Sequence, residues 1–178
     1  MWGGVLKAVV SFGSPASPSL CKGVAGKEYF KQVIELNRLC REDDFKQPLS
    51  KLVSYGLKDL KKYNLYVVSF SDTAMNHHGY IYQACNFFYT GCTKERTDKY
   101  TEGNKHSRHY DNNNQIGRKI RSAKHRYIYI CASSKKIKKE MLDSLKYPIL
   151  NYPKGDNNKD YALGYVLQQK VILSSDIS

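Results

Sequence analysis

The chain has 178 residues, 41% hydrophobic and 25% charged, which fits one globular domain and excludes a disordered, collagenous or coiled-coil protein. Twenty-nine Lys and Arg face 16 Asp and Glu, and the net charge of +13 makes a polyanion, nucleic acid first, the expected partner. No apolar run reaches the roughly 18 to 20 residues of a membrane helix, and Gly3, Gly4 and Lys7 break any secretory signal, so the protein is expected in the cytoplasm.

Taken in chain order, Val5 to Phe12 reads as a first strand or hairpin, and Gly13–Gly26, with Pro15, Pro18 and three glycines, as a turn-rich stretch. Val33–Leu39 fits both a strand's alternation and a helical spacing, and strand is the preferred reading. Pro48 opens a helix whose Leu49, Leu52, Val53, Leu57 and Leu60 form an apolar stripe, with lysines near its carboxyl end where they suit the helix dipole. Leu65–Phe70 is a β-branched and aromatic strand ending in Ser71–Asp72, which completes a strand–helix–strand unit. A second helix is expected from His78–Gly79 to a stop at Gly91. His125–Cys131 alternates, with Tyr127 and Tyr129 on one face and Ile128 and Ile130 on the other. A last helix runs from a Ser133 or Ser134 cap through Leu145, with Ile137, Met141, Leu142 and Leu145 inward.

Charge concentrates in the middle of the chain. Lys94–Glu140 carries 14 Lys or Arg against 5 acidic residues, a net +9. Within it, residues 94–124 have few aliphatic side chains and read as a long basic loop or flap; residues 174–178 read as a frayed tail. Arg108, Arg118, Lys119, Arg121, Lys124 and Arg126, interleaved with Tyr110 and Tyr127, suit phosphate contacts plus stacking. The alternative is a solvated basic segment with no defined ligand. Five cysteines with no C-x-x-C argue for free, buried thiols over disulfides or zinc. His106, His109 and Asp111 have a weak metal-site spacing but lack flanking apolar strands, so no metal is assigned.

Ligands gather at the carboxyl ends of strands in open α/β sheets. There Asp72 heads a segment with His77, His78, Tyr80 and Tyr82, and a carboxylate beside His78 would make a general base. The competing reading has Asp72 capping a turn and the histidines exposed. No Walker loop, G-x-G-x-x-G or H-E-x-x-H occurs, which removes kinase, dinucleotide and zincin readings.

Five segments in order, Val-Ile-Glu-Leu-Asn-Arg-Leu (33–39), Val-Val-Ser-Phe-Ser-Asp (67–72), His-Gly-Tyr-Ile-Tyr-Gln-Ala-Cys-Asn-Phe-Phe-Tyr-Thr-Gly (78–91), His-Ser-Arg (106–108) and Lys-Tyr-Pro-Ile-Leu-Asn-Tyr-Pro-Lys-Gly (146–155), resemble bacteriophage DNA-modification proteins of the Mom type. The resemblance implies a divergent GNAT acyltransferase that converts adenine in double-stranded phage DNA to an N6-carbamoylmethyl (methylcarbamoyl) form and so shields it from host restriction. The implied fold is α/β, a GNAT-like mixed central sheet flanked by helices in one domain, with the basic 94–124 insertion and a shortened N-terminus. Asp72, His78 and Tyr82 are then expected to be catalytic, with Tyr82 a proton donor. Asn37, Arg38, Leu49 and Ser50 are expected at the cofactor, and His106, Ser107, Arg108, Arg121, Lys124 and Arg126 on DNA. Arg41-Glu-Asp-Asp-Phe-Lys-Gln-Pro replaces the glycine-containing pyrophosphate loop of GNAT enzymes. Acetyl-CoA or another acyl or aminoacyl compound is the implied donor, with its identity open. The rival functions are acetylation of a small molecule or protein on the same scaffold, and non-catalytic nucleic-acid binding.

Overall fold

A computed structural model describes residues 4–101, 115–155 and 170–173. These form a mixed α/β protein divided into two compact units, one from Met1–Phe70, Gly79–Gly91 and Arg126–Pro153, the other from Ser71–His78, Cys92–His125 and Lys154–Ser178.

The main sheet has the order β1-β2-β3-β7-β4, built from β1 (Ala8–Gly13), β2 (Val33–Arg41), β3 (Leu65–Asp72), β4 (Phe88–Cys92) and β7 (Lys124–Cys131). β1 runs antiparallel to β2, whereas β2 and β3 are parallel and joined by helix α2 (Leu49–Leu60), as the strand–helix–strand pattern predicts. The β2–β3 ladder holds only three pairs, Val33 with Tyr66, Ile34 with Val67 and Glu35 with Val68. Beyond them the two strands part, and the buried Ser69 hydroxyl donates to the Leu36 carbonyl at 3.1 Å where the fork opens.

Alternation along the strands loads both faces of this sheet. Val33, Tyr66, Val68, Ile128 and Ile130 pack with Cys21, Val24 and Ala25 of α1 (Pro18–Tyr29) and Met141 of α4 (Lys135–Asp143). On the other face Leu36, Val67, Tyr127 and Cys131 meet Val53 and Leu57 of α2, with Cys85 and Phe87. The opposite facing of Tyr127 and Ile128 is the one the sequence predicts, and so are the Ser134 cap, which accepts from the Ile137 amide at 3.2 Å, and the inward side of α4.

Three expectations are corrected. Much of Gly13–Gly26, expected as a turn-rich stretch, belongs instead to α1, which runs on to Tyr29: Ser17 accepts from the Leu20 amide at 3.3 Å, Pro18 sits in the first turn, and Cys21, Val24 and Ala25 are spaced to bury one stripe. Its glycine content signals a kink inside the helix, since Gly26 has φ 71°. The helix expected from His78 to Gly91 is only α3 (Tyr80–Ala84), because Asn86 turns left-handed at φ 59° and the aromatic run after it is needed as β4. The stretch 94–124 contains β5 (Arg96–Tyr100) and β6 (Gly117–Arg121), which pair antiparallel and, with β8 (Val171–Leu173), make a three-stranded sheet in the second unit. Charged and hydroxyl side chains dominate the β5–β6 ladder, with diagonal hydrogen bonds from Arg118 to Thr97 and from Arg121 to Asp98, so it lacks the apolar alternation that marks a strand. The frayed tail lies outside the described residues.

Candidate functional site

Within the second unit, Asp72 ends β3 and caps the 3-10 turn Thr73–Met75, its carboxylate accepting from the Ala74 amide at 3.0 Å. The same carboxylate accepts a short hydrogen bond from the Ser122 hydroxyl and faces the Lys124 ammonium at 3.8 Å. Thr73 fastens the turn by donating through both its amide and its hydroxyl to the Ala123 carbonyl. The capping reading of Asp72 therefore holds, and the turn also carries a charged network.

The histidines beside it are half-buried. His77 donates its amide to the Asp72 carbonyl at 3.1 Å. Burial lowers the His77 imidazole pKa, with the Asp72 charge opposing and His78 assisting. The His78 ring lies 5.8 Å from that of His125, whose pKa is lowered by burial and then by His78. Gly155 backs the His78 ring so closely that a β-carbon there would overlap it, which links the end of the 146–155 segment to this histidine. Ser71, 7% exposed and next to Asp72, has no hydrogen-bond partner for its hydroxyl among the described residues.

In the first unit, Tyr82 of α3 is packed against Phe87 and Tyr127 at ring separations of 5.5 and 5.3 Å, and its hydroxyl donates to the Phe70 carbonyl at 3.5 Å. Burial raises its phenol pKa, a hydrogen bond with Ser69 pulls it back, and the Glu35 and Cys85 charges raise it further. The phenol thus stays protonated and sits at the fork between β2 and β3. Glu35, in the last paired position of the fork, also accepts from the Ala16 amide at 3.3 Å. Sequence reading passed over this half-buried carboxylate; its signal was an acidic residue inside an otherwise apolar strand run.

A cavity of about 380 Å³ lies at the amino end of α2, lined by Arg41, Leu49, Ser50, Tyr80 and Ile81 among others. The helix has no side-chain cap and no acidic residue in its first turn, and Asp44, from the loop ahead of it, pairs with Lys7 at 2.6 Å. Asn37 accepts from the Ser11 hydroxyl at 2.9 Å, and Arg38 is exposed and donates to the Asn37 carbonyl at 3.3 Å. The structure therefore brings Leu49 and Ser50 to one cavity, while Asn37 and Arg38 are not among its lining residues.

The basic residues separate sharply. Arg126 donates to the Thr90 hydroxyl at 3.0 Å and the Thr90 carbonyl at 2.7 Å, and its guanidinium stacks 3.3 Å above the Tyr147 ring. Arg121 pairs with Asp98 at 3.1 Å. His106, Ser107, Arg108 and the metal-like trio His106, His109 and Asp111 lie outside the described residues. No described helix is long and apolar enough to cross a membrane.

A search of curated proteins found no match to this chain. The sequence profile of the Mom protein family, in contrast, matches residues 2–154, a span that includes Asp72, the histidine pair, Tyr82 and the α2 cavity. The chain therefore belongs to the Mom protein family, whose members are phage DNA-modification proteins.

Proposed function

We propose that this protein is a transferase that converts adenine in double-stranded DNA to an N6-carbamoylmethyl form and so protects phage DNA from host restriction. Family membership over residues 2–154 carries this reading. The parting of β2 from β3 after three pairs supports a GNAT-like core, and the uncapped amino end of α2, with Arg41 at its cavity, suits an anionic donor.

The adenine N6 amine is a weak nucleophile and is hydrogen-bonded inside a duplex, so the base must be extruded, at a cost of a few kcal/mol that phosphate contacts offset. Asp72 and His78 orient N6 and accept the proton it loses as the new N–C bond forms. Tyr82, held protonated by burial, gives its proton to the departing group of the donor. His77 stands in the Asp72 field and is a second candidate for the proton-accepting imidazole.

Expression of the intact gene in bacteria, followed by digestion of the DNA to nucleosides and mass spectrometry, tests this. A modified deoxyadenosine that disappears in Asp72→Ala or His78→Ala supports the reading. Unmodified DNA together with tight acetyl-CoA binding favours acetylation of another substrate; unmodified DNA with salt-dependent duplex binding alone favours a non-catalytic binder.

A further inference from the structure

Of the cations expected on DNA, Arg121, Lys124 and Arg126 face protein partners and Arg108 lies outside the described residues. A denser group of lysines, free of ion pairs among the described residues, lies elsewhere, with Lys62 resting over the Tyr63 ring at 4.9 Å. At the amino end of β3 the left-handed Asn64 uses its side-chain oxygen to accept from the Ser133 amide at 2.9 Å and the Ser133 hydroxyl at 3.0 Å. That pair ties the end of α2 to the start of α4, and so gathers Lys58, Lys61 and Lys62 with Lys135, Lys136, Lys138 and Lys139 at one end of the main sheet. All seven are exposed, and none takes part in an ion pair among the described residues. Residues 58–62 and 133–140 together carry seven lysines against Asp59 and Glu140, a net +5.

The placement runs against helix stability. Lys135, Lys136 and Lys138 crowd the first turn of α4, which contains no acidic residue, although cations there oppose the helix dipole. Ser134 caps this turn, but no acidic side chain within it offsets the lysine charges, and local rules broken in this way are found at functional sites. Convergence of the positive end of α4 with lysines from the end of α2 gives a predominantly cationic surface suited to successive phosphates.

We propose that this lysine cluster is a second DNA-backbone contact surface, separate from the fork that holds Tyr82; the proposal rests on the DNA-modification reading above. Phe70 lies six residue steps along the strand from Asn64, about 20 Å, so a bound duplex reaching both would extend about six base pairs between them.

The test is titration of a fluorescent duplex with the full chain at several concentrations between roughly 50 and 200 mM salt. Lys61→Gln, Lys62→Gln, Lys135→Gln and Lys136→Gln are combined in one variant. Each phosphate contact contributes about 0.9 to the log–log salt slope, so the variant is expected to lose about 3 to 4 from its magnitude and at least about tenfold in affinity. The matching four-arginine variant should keep the parental slope, which guards against a folding defect, and so should Lys22→Gln with Lys31→Gln on exposed positions of the α1 region. A parental slope in the four-glutamine variant overturns the cluster; if parental cells still contain modified adenine, the functional reading survives. Loss of slope in the arginine variant, a slope change only on anionic vesicles, or no duplex binding by the parental chain also overturns it. A slope that the variant loses, in a protein that leaves adenine unmodified, keeps the cluster and refutes the enzyme.

Discussion

Ser69→Ala isolates the hydrogen bond at the mouth of the β2–β3 fork. Ser69 is 1% exposed and Leu36 4% exposed, so deleting the hydroxyl leaves the Leu36 carbonyl short of a partner in a place water does not reach. Loss of one such bond costs about 1–2 kcal/mol, and for a chain of this size that lowers the melting temperature by about 3–6 °C. The same hydroxyl pulls the Tyr82 phenol pKa down against the effect of burial, so its removal pushes the phenol higher still. The assay is urea and thermal unfolding of parent and variant, with an alkaline ultraviolet titration in which Tyr82→Phe identifies the Tyr82 signal. Stability within about 0.5 kcal/mol of the parent, with the Tyr82 titration unmoved, would refute the claim that this hydroxyl fixes the fork and tunes the tyrosine.

Arg126→Ala removes two hydrogen bonds from a charged donor and a stacked guanidinium, and is expected to destabilise by about 2–3 kcal/mol while leaving the duplex salt slope unchanged; a smaller slope with full stability would return Arg126 to the DNA contacts. Asp72→Asn keeps an oxygen for the Ala74 amide but removes the charge beside Lys124 and His77, and deoxyadenosine modification should fall by about 10²-fold or more, with parental levels arguing against a charge role. His77 and His125 have pKa values lowered below 6.5, so the unfolded chain binds protons that the folded one refuses. Stability should therefore decline as pH falls through 6.5 toward the folded-state values, flattening below them, and the decline should shrink in His125→Gln. Native thiol labelling should modify the exposed Cys40 and Cys92 and spare the buried Cys21, Cys85 and Cys131, the last pushed by burial to about 12, until denaturant is added.

The sheet core was legible because burial there follows simple periods. Tyr127, Ile128 and Ile130 alternate in β7, and Leu49 to Leu60 repeat at helical spacing, so those elements and their inward faces follow from residue types alone. The first helix was hidden by Gly23 and Gly26, whose ordinary message is a turn; the glycines instead admit Tyr147 and a kink. The β5–β6 ladder was hidden because charged and hydroxyl side chains dominate it, joined by one ion pair and one hydroxyl bond, with no alternating apolar face to register. At the site, Asp72 and the histidines stood out as residue types, but Ser122 and Glu35 become neighbours of Asp72 and Tyr82 only through tertiary folding across 50 and 47 positions of sequence. No local pattern encodes such a meeting. The fate of Arg126 was equally unreadable, since a cation's sequence context does not say whether a carbonyl and an aromatic ring already hold it.

The chain passes between its two compact units five times, so each is assembled from three interleaved stretches. Neither can be released by a single proteolytic cut or grafted as one contiguous cassette. On the ribosome the first unit stays unfinished until residue 153 has left the exit tunnel, with the apolar sides of β2 and β3 waiting for β7 and α4. Nascent chains arrested before that point should be the species that chaperones must hold, whereas those arrested beyond it should already resist protease across the main sheet.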